Sequence, residues 1–583
     1  MNLTWGHWIV LGFSILKMGL FSRLCFGIKQ TVLRALVLVF SVSLLFEFLG
    51  GQGLVIAQWV FLALAATGLL FKRRDADRFE LALLGAGLVL WAYLLRNVAF
   101  IPSVDDGVHH LYYYQRMHAT GHLLTGHVPL IRSALFGRAF LTFYPSGFHA
   151  FAAVLEFPLT QVLQLPSWIA MKSEVLLVLA SFLPLLYRLG RTLFPSIPRT
   201  AVIVAAIFSG ILDVFPSNAI AEGGISRVAG LVFMVWAVQD FLGSQLRRGT
   251  LFYFLGLVLP LAFWIHPSAV AHLCGAIILI GLSGPDKSLL PILVELGAGL
   301  LVFAAWVWGL VHSGPSLLIG AGGVISSLPV LSLNWRAVID RLKGPVHYLL
   351  RDSIVPGHFM SPRTLLFLAG AYWMVKEGKK EGAKEKLKRN LFALFLFLPF
   401  FIALLQFSAF TPFVALGMFY YHSVKRVAEF FVLPLFMGWC AALAYLWPFR
   451  ATRVALGVVS GLALVLGVPA LDARLGLTNQ SFATVSNIQL EHARAVMEPY
   501  SRSEKGTWFC EGQRYQPLMG VSKNTGLDYY FTRGTECSSG RLHESYCAEE
   551  AKVFKARLNE GLLQKTAVWV SFGSESDGCY WLK

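Results

Sequence analysis

Apolar runs of membrane-spanning length follow one another along this chain as far as residue 470, and there they stop. A helix needs about 20 predominantly apolar residues to cross a hydrocarbon core of roughly 30 Å. Such runs lie near 80–101, 169–187, 226–243, 251–265, 267–283, 289–312, 364–376, 391–410, 426–447 and 454–470, with others before Lys72 and after Arg199. The pattern predicts an all-α polytopic membrane bundle of about 13 transmembrane helices. Residues 7–24 are apolar but interrupted by Lys17. They suit either an uncleaved signal-like segment or an interfacial amphipathic helix.

Residues 471–583 are polar, contain no spanning run and carry four of the seven cysteines. The chain therefore divides into a transmembrane domain, 1–470, and a soluble C-terminal domain, 471–583. Thr566–Phe572 has the alternation of a strand and Glu549–Leu563 that of an amphipathic helix, so this domain is expected to be α/β or α+β. Cys510, Cys537, Cys547 and Cys579 form an even set, as in an oxidising compartment, and disulfides are expected with three pairings open. Zinc is the alternative, but CxxC spacing is missing.

The composition narrows the class. Of 583 residues, 56% are hydrophobic and 14% charged, and mean hydropathy is +0.63, far too apolar for a soluble enzyme of this length. The net charge of +17 would suit a nucleic-acid partner only if it were gathered into one module. Here Lys and Arg are dispersed among short loops, so they read as cytoplasmic loop markers and no nucleic acid is expected. The clearest marker runs from Lys376 to Arg389. Lys72, Arg73 and Arg74 mark another inner loop, as do Arg188, Arg191 and Arg199. An even number of crossings between these two groups leaves 146–165 dipping in from outside without crossing. The same count puts the C-terminal domain outside, and a bacterial cytoplasmic membrane is the expected location.

Against this background the loop 102–149 stands out. Asp105 and Asp106 follow directly on an apolar run ending at Pro102, where a carboxylate costs far less than at a helix centre. His109, His110, His118, His122, His127 and His149 place six of the fifteen histidines in this one loop. Tyr112, Tyr113, Tyr114 and Tyr144 add interfacial aromatics. Residues 107–123 read as a helix along the membrane, with His110, Tyr114 and Met117 on one side. His118 and His122, at i and i+4, are a weak metal pair or structural or solvated histidines.

The order Asp105-Asp106-Gly107-Val108-His109-His110, Gly126-His127-Val128-Pro129, Tyr144-Pro145-Ser146-Gly147-Phe148-His149 resembles the first outer loop of GT-C-type integral membrane glycosyltransferases. The resemblance implies an inverting transfer of sugar from a polyprenyl phosphate or pyrophosphate at the outer face, with this loop supplying the catalytic acid. It also implies substrate contacts from His109, His110, Tyr144 and His149, and a glycan, lipid or protein acceptor.

Two later stretches extend the resemblance. Glu222, at an outer span junction, stands where similar enzymes carry a second acidic residue, although a Glu222–Arg227 pair would cap the next span as well. Lys425 and Arg426 sit on the outer side against the positive-inside rule, where a lipid phosphate needs a point charge and a planar fork. The alternative for Arg426 is an i,i+3 pair with Glu429. His266, in Trp264-Ile265-His266-Pro267, is a third phosphate contact or a helix-ending turn. A divalent metal, Mg or Mn, would serve the same polarity as Lys425 and Arg426. The competing readings are a transporter or flippase of lipid-linked glycan, which needs ionisable residues near mid-membrane, and a noncatalytic envelope-assembly protein.

Overall fold

The computed structural model describes residues 8–12, 14–16, 31–70, 77–96, 110, 113–114, 117–118, 120–124, 146–163, 167–210, 219–220, 224–243, 249–283, 289–312, 362–377, 382–405 and 429–481, together with short stretches of 496–582. The helices are α1 (Thr31–Phe48), α2 (Gly53–Leu70), α3 (Arg78–Leu94), α4 (Gly147–Leu163), α5 (Ser167–Leu193), α6 (Arg199–Gly210) and α7 (Ile225–Gly243). They continue as α8 (Thr250–Ile265), α9 (Ser268–Leu282), α10 (Leu289–His312), α11 (Pro362–Glu377), α12 (Ala383–Leu405), α13 (Val432–Leu446) and α14 (Arg450–Ser481).

Three of these are long and apolar enough to cross a membrane: Ile169–Leu193, Ile225–Gly243 and Leu290–Leu310. The first is wholly buried and forms the spine of the bundle, with α3, α6 and α7 packed around it. By contrast α10 turns Leu290, Leu301 and Trp308 outward, each more than 60% exposed. An outward apolar face of that size is stable against hydrocarbon, not water. The chain is thus a helical membrane protein.

Polar contacts at helix ends fix the packing. At one end Asp77 caps α3 by accepting from the Phe79 N–H, and Arg188 gives Nε and Nη2 to the two oxygens of Glu80 at 2.9 and 2.6 Å. At the other end of α3, Arg96 makes a matching fork with Asp472 of α14, both bonds 2.9 Å. In α8 one widened turn over Phe254–Val258 precedes Pro260, whose missing N–H leaves the Gly256 carbonyl without its usual partner. α14 continues to Ser481, past the expected end of the last span at 470.

Helices α11 and α13 approach so closely that a Cβ on Gly370 would overlap the Gly438 carbonyl. Gly370→Leu is expected to force them apart at a cost of about 1–3 kcal/mol. An unfolding midpoint in detergent equal to the parent's would contradict that approach.

The C-terminal strands are β1 (Thr507–Cys510), β2 (Asp528–Phe531), β3 (Ala567–Ser574) and β4 (Asp577–Leu582), in the order β2-β1-β4-β3. β1 pairs parallel with β2 and antiparallel with β4, and β3 pairs antiparallel with β4. The expected strand at 566–572 is β3. Among the described residues Cys274 and Cys440 are free thiols. The side chains of Cys510, Cys537, Cys547 and Cys579 lie outside the described set, and no disulfide is seen among the described residues.

Candidate functional site

The residues that follow Asp105 and Asp106 are seated in the bundle by four sets of polar contacts. His110, Tyr114 and Met117 are buried on one face, as their spacing predicts. Gly121, at φ +72°, ends the helical segment by giving its N–H to the Met117 carbonyl, a turn that favours glycine.

His110 Nδ1 lies 2.8 Å from His149 Nε2 on α4, with the two rings stacked. One imidazole must donate and the other accept, so the pair is satisfied when at least one ring is neutral. Four residues further, the Tyr114 hydroxyl donates to Glu156 Oε2 at 2.8 Å, and Ser173 of α5 donates to Oε1 at 3.0 Å. Burial first and then the Glu156 charge hold the Tyr114 hydroxyl well above its usual pKa, so it remains a donor. The loop is thereby tied to α4 and, through Glu156, to α5.

Glu47, near the end of α1, collects four donors. His122 Nδ1 and the Leu124 N–H reach Oε1 at 3.0 and 3.3 Å, while the N–H groups of Gly53 and Leu123 reach Oε2 at 2.8 and 3.2 Å. Finally, Ser146 donates to the Leu123 carbonyl and accepts from Trp264 Nε1 at 3.0 Å, which joins the loop to α8. Burying so many polar groups is tolerable because they satisfy one another.

Ionisable side chains also lie in the interior beside this network. Lys172 and Glu174 flank Ser173 on α5, and both are buried, as is Glu156. Sequence reasoning passed over all three and over Glu47. The available signal was an ionisable residue within or at the end of a membrane-length apolar run.

The structure brings His110 and His149 together. It places His266 at the turn between α8 and α9, buried, with Nδ1 bonded to the Ser268 hydroxyl at 2.6 Å and its Cβ close to Gly230 of α7. Asp105, Asp106, His109, Tyr144, Glu222, Lys425 and Arg426 lie outside the described residues. His118 and His122 do not join: the first packs on Tyr114 and the second bonds to Glu47. Among the described residues no group of three or more His, Cys, Asp or Glu is placed to hold a metal.

Burial lowers the His118 pKa to about 4, and its Nε2 has no hydrogen bond among the described residues. The unfolded chain therefore takes up a proton below about pH 6.5 that the folded chain refuses until about pH 4. Stability is expected to fall as pH drops through that window, by about 3 kcal/mol in all from this residue. His118→Phe should flatten the dependence in a pH series of unfolding midpoints; an unchanged slope would contradict it.

No protein-family model and no curated protein matches the chain. Among solved structures, it is similar to the Archaeoglobus fulgidus oligosaccharyltransferase in a crystal structure with Zn and sulfate, at 12% identity and a TM-score of 0.46. The alignment covers 81% of this chain and 66%, just under two thirds, of that one. The likeness assigns no role to any residue here.

Proposed function

We propose that this protein is a membrane glycosyltransferase that moves a sugar from a polyprenyl-phosphate-linked donor to a glycan, lipid or protein acceptor at the outer face. The observation that supports the reading is the seating of His110, Tyr114 and His122–Leu124 on His149, Glu156 and Glu47, a few residues after the acidic pair. A loop that carried no chemistry would not require so many interior polar anchors.

In this reading Asp105 takes the proton from the acceptor hydroxyl as that oxygen attacks the anomeric carbon. Asp106 and Glu222 complete the acidic side of the site. The sugar carbon gains positive character and the departing phosphate gains negative charge, so Lys425 and Arg426 face the phosphate oxygens. His109 and Tyr144 border the substrate, and the buried His110–His149 pair behind them fixes where that border lies. One displacement inverts the anomeric centre.

Buried Glu156, Lys172 and Glu174 favour a second reading, transport of a lipid-linked glycan, since interior ionisable groups mark ion and substrate paths. Purified full-length protein in proteoliposomes separates the two. Incubation with a labelled polyprenyl-phosphate sugar is expected to yield a new glycosidic bond of inverted configuration. Translocation of the labelled lipid with no bond formed would replace transfer by transport.

A further inference from the structure

A groove between α1, α4, α5, α7 and α8 is apolar along its length and charged at one end. Val37, Phe40, Leu177 and Ala229 lie buried along it, while Trp236 and Arg188 are half-buried. Ser181 is its other polar residue, and that hydroxyl is bonded to the Leu177 carbonyl of its own helix. A polar ligand would find almost nothing to bond with along such a wall. A hydrocarbon chain loses nothing there.

The length of the groove points to one leaflet. From Leu177 to Arg188, α5 rises about 16 Å at 1.5 Å per residue. This is about half of a 30 Å hydrocarbon core, and Arg188 lies within about 8 Å of the Leu193 end of α5. The surroundings of Arg188 are basic: Arg78, Arg191 and Arg199 lie at the same end, against Asp77 and Glu80.

We infer that this groove binds an acyl chain of an anionic glycerophospholipid, with its phosphate at the Arg188 end. Basic pockets between membrane helices recognise such headgroups through guanidinium–phosphate pairing. Glu80 is the built-in competitor, because it already accepts from Nε and Nη2 of Arg188. Gly147, Phe148 and Trp264, which line the groove, adjoin the loop network, but its charged end at Arg188 lies away from that network: Ser173, which anchors Glu156, is toward the opposite end of α5. Failure of one leaves the other standing.

Native mass spectrometry of delipidated full-length protein tests the inference, with dioleoyl phosphatidylglycerol, dioleoyl phosphatidylcholine and polyprenyl phosphate as probes. Phosphatidylglycerol should form a one-to-one adduct at about tenfold lower concentration than phosphatidylcholine. Ala229→Phe, which fills the slot, should abolish that adduct without altering the unfolding midpoint. Glu80→Gln should tighten phosphatidylglycerol several-fold and leave phosphatidylcholine unchanged. The Glu80→Gln, Arg188→Gln double variant, which strands no buried charge, should remove the preference. Equal binding of the two phospholipids, or an adduct indifferent to Ala229→Phe, overturns the inference. So does displacement of phosphatidylglycerol by an equal concentration of polyprenyl phosphate.

Discussion

Asparagine at position 105 is expected to remove most sugar transfer while leaving the fold and donor binding in place. The amide keeps the size and hydrogen-bonding reach of the carboxylate, but it cannot take a proton from an attacking hydroxyl. Loss of a positioned general base lowers the rate by about 10²- to 10⁴-fold, equivalent to about 3–5 kcal/mol of barrier. The fall should appear in kcat, with KM for the lipid donor little changed, since the contact is made in the transition state. Asp106→Asn should lose less. Because Asn keeps the size of the carboxylate, the unfolding midpoint should stay at the parent value. Full activity in both variants would remove the proposed base.

Alanine at position 156 is expected to unseat the loop without touching the reacting groups. Glu156 accepts from Tyr114 and Ser173, both buried. Truncation strands the Tyr114 hydroxyl, at a cost of about 1–3 kcal/mol, while Ser173 keeps the Ala170 carbonyl at 2.8 Å. Glutamine retains one carbonyl oxygen for Tyr114 and should lose much less. Chemical unfolding in detergent reads the difference directly. Sugar transfer by the Glu156→Ala variant should fall with stability, because the residues after Asp105 and Asp106 would no longer be held. Equal losses in the alanine and glutamine variants would mean that the Tyr114 bond does not hold the loop.

The helices were legible because hydrocarbon solvent demands long apolar runs, and the buried face of 110–117 because helical spacing places His110, Tyr114 and Met117 together. Strand β3 was legible by alternation. What spacing could not supply was the partner of each polar side chain. His110 and His149 are 39 residues apart, and Tyr114 and Glu156 are 42 apart, so their contacts exist only after α4 packs beneath the loop. Glu156 was hidden because 146–165 reads as a mainly apolar run, and Lys172 and Glu174 because they open a long one. An even count of crossings could orient the helices but could not bring these charges to one place. His266 looked open to phosphate in sequence; packing against Gly230 and bonding to Ser268 give it a structural use that a His-Pro dipeptide does not reveal.

The central claim is that the acidic pair and the basic pair, more than three hundred residues apart, meet around one lipid-linked sugar. A cryo-EM structure of the full chain with a non-hydrolysable polyprenyl-phosphate sugar analogue measures this directly. The account predicts phosphate oxygens within hydrogen-bond reach of Lys425 or Arg426, about 2.7–3.2 Å, and the anomeric carbon facing the Asp105 or Asp106 carboxylate across the space of one acceptor hydroxyl. Acidic and basic pairs found at opposite ends of the bundle, or both at one end but unable to touch the same ligand, would contradict it.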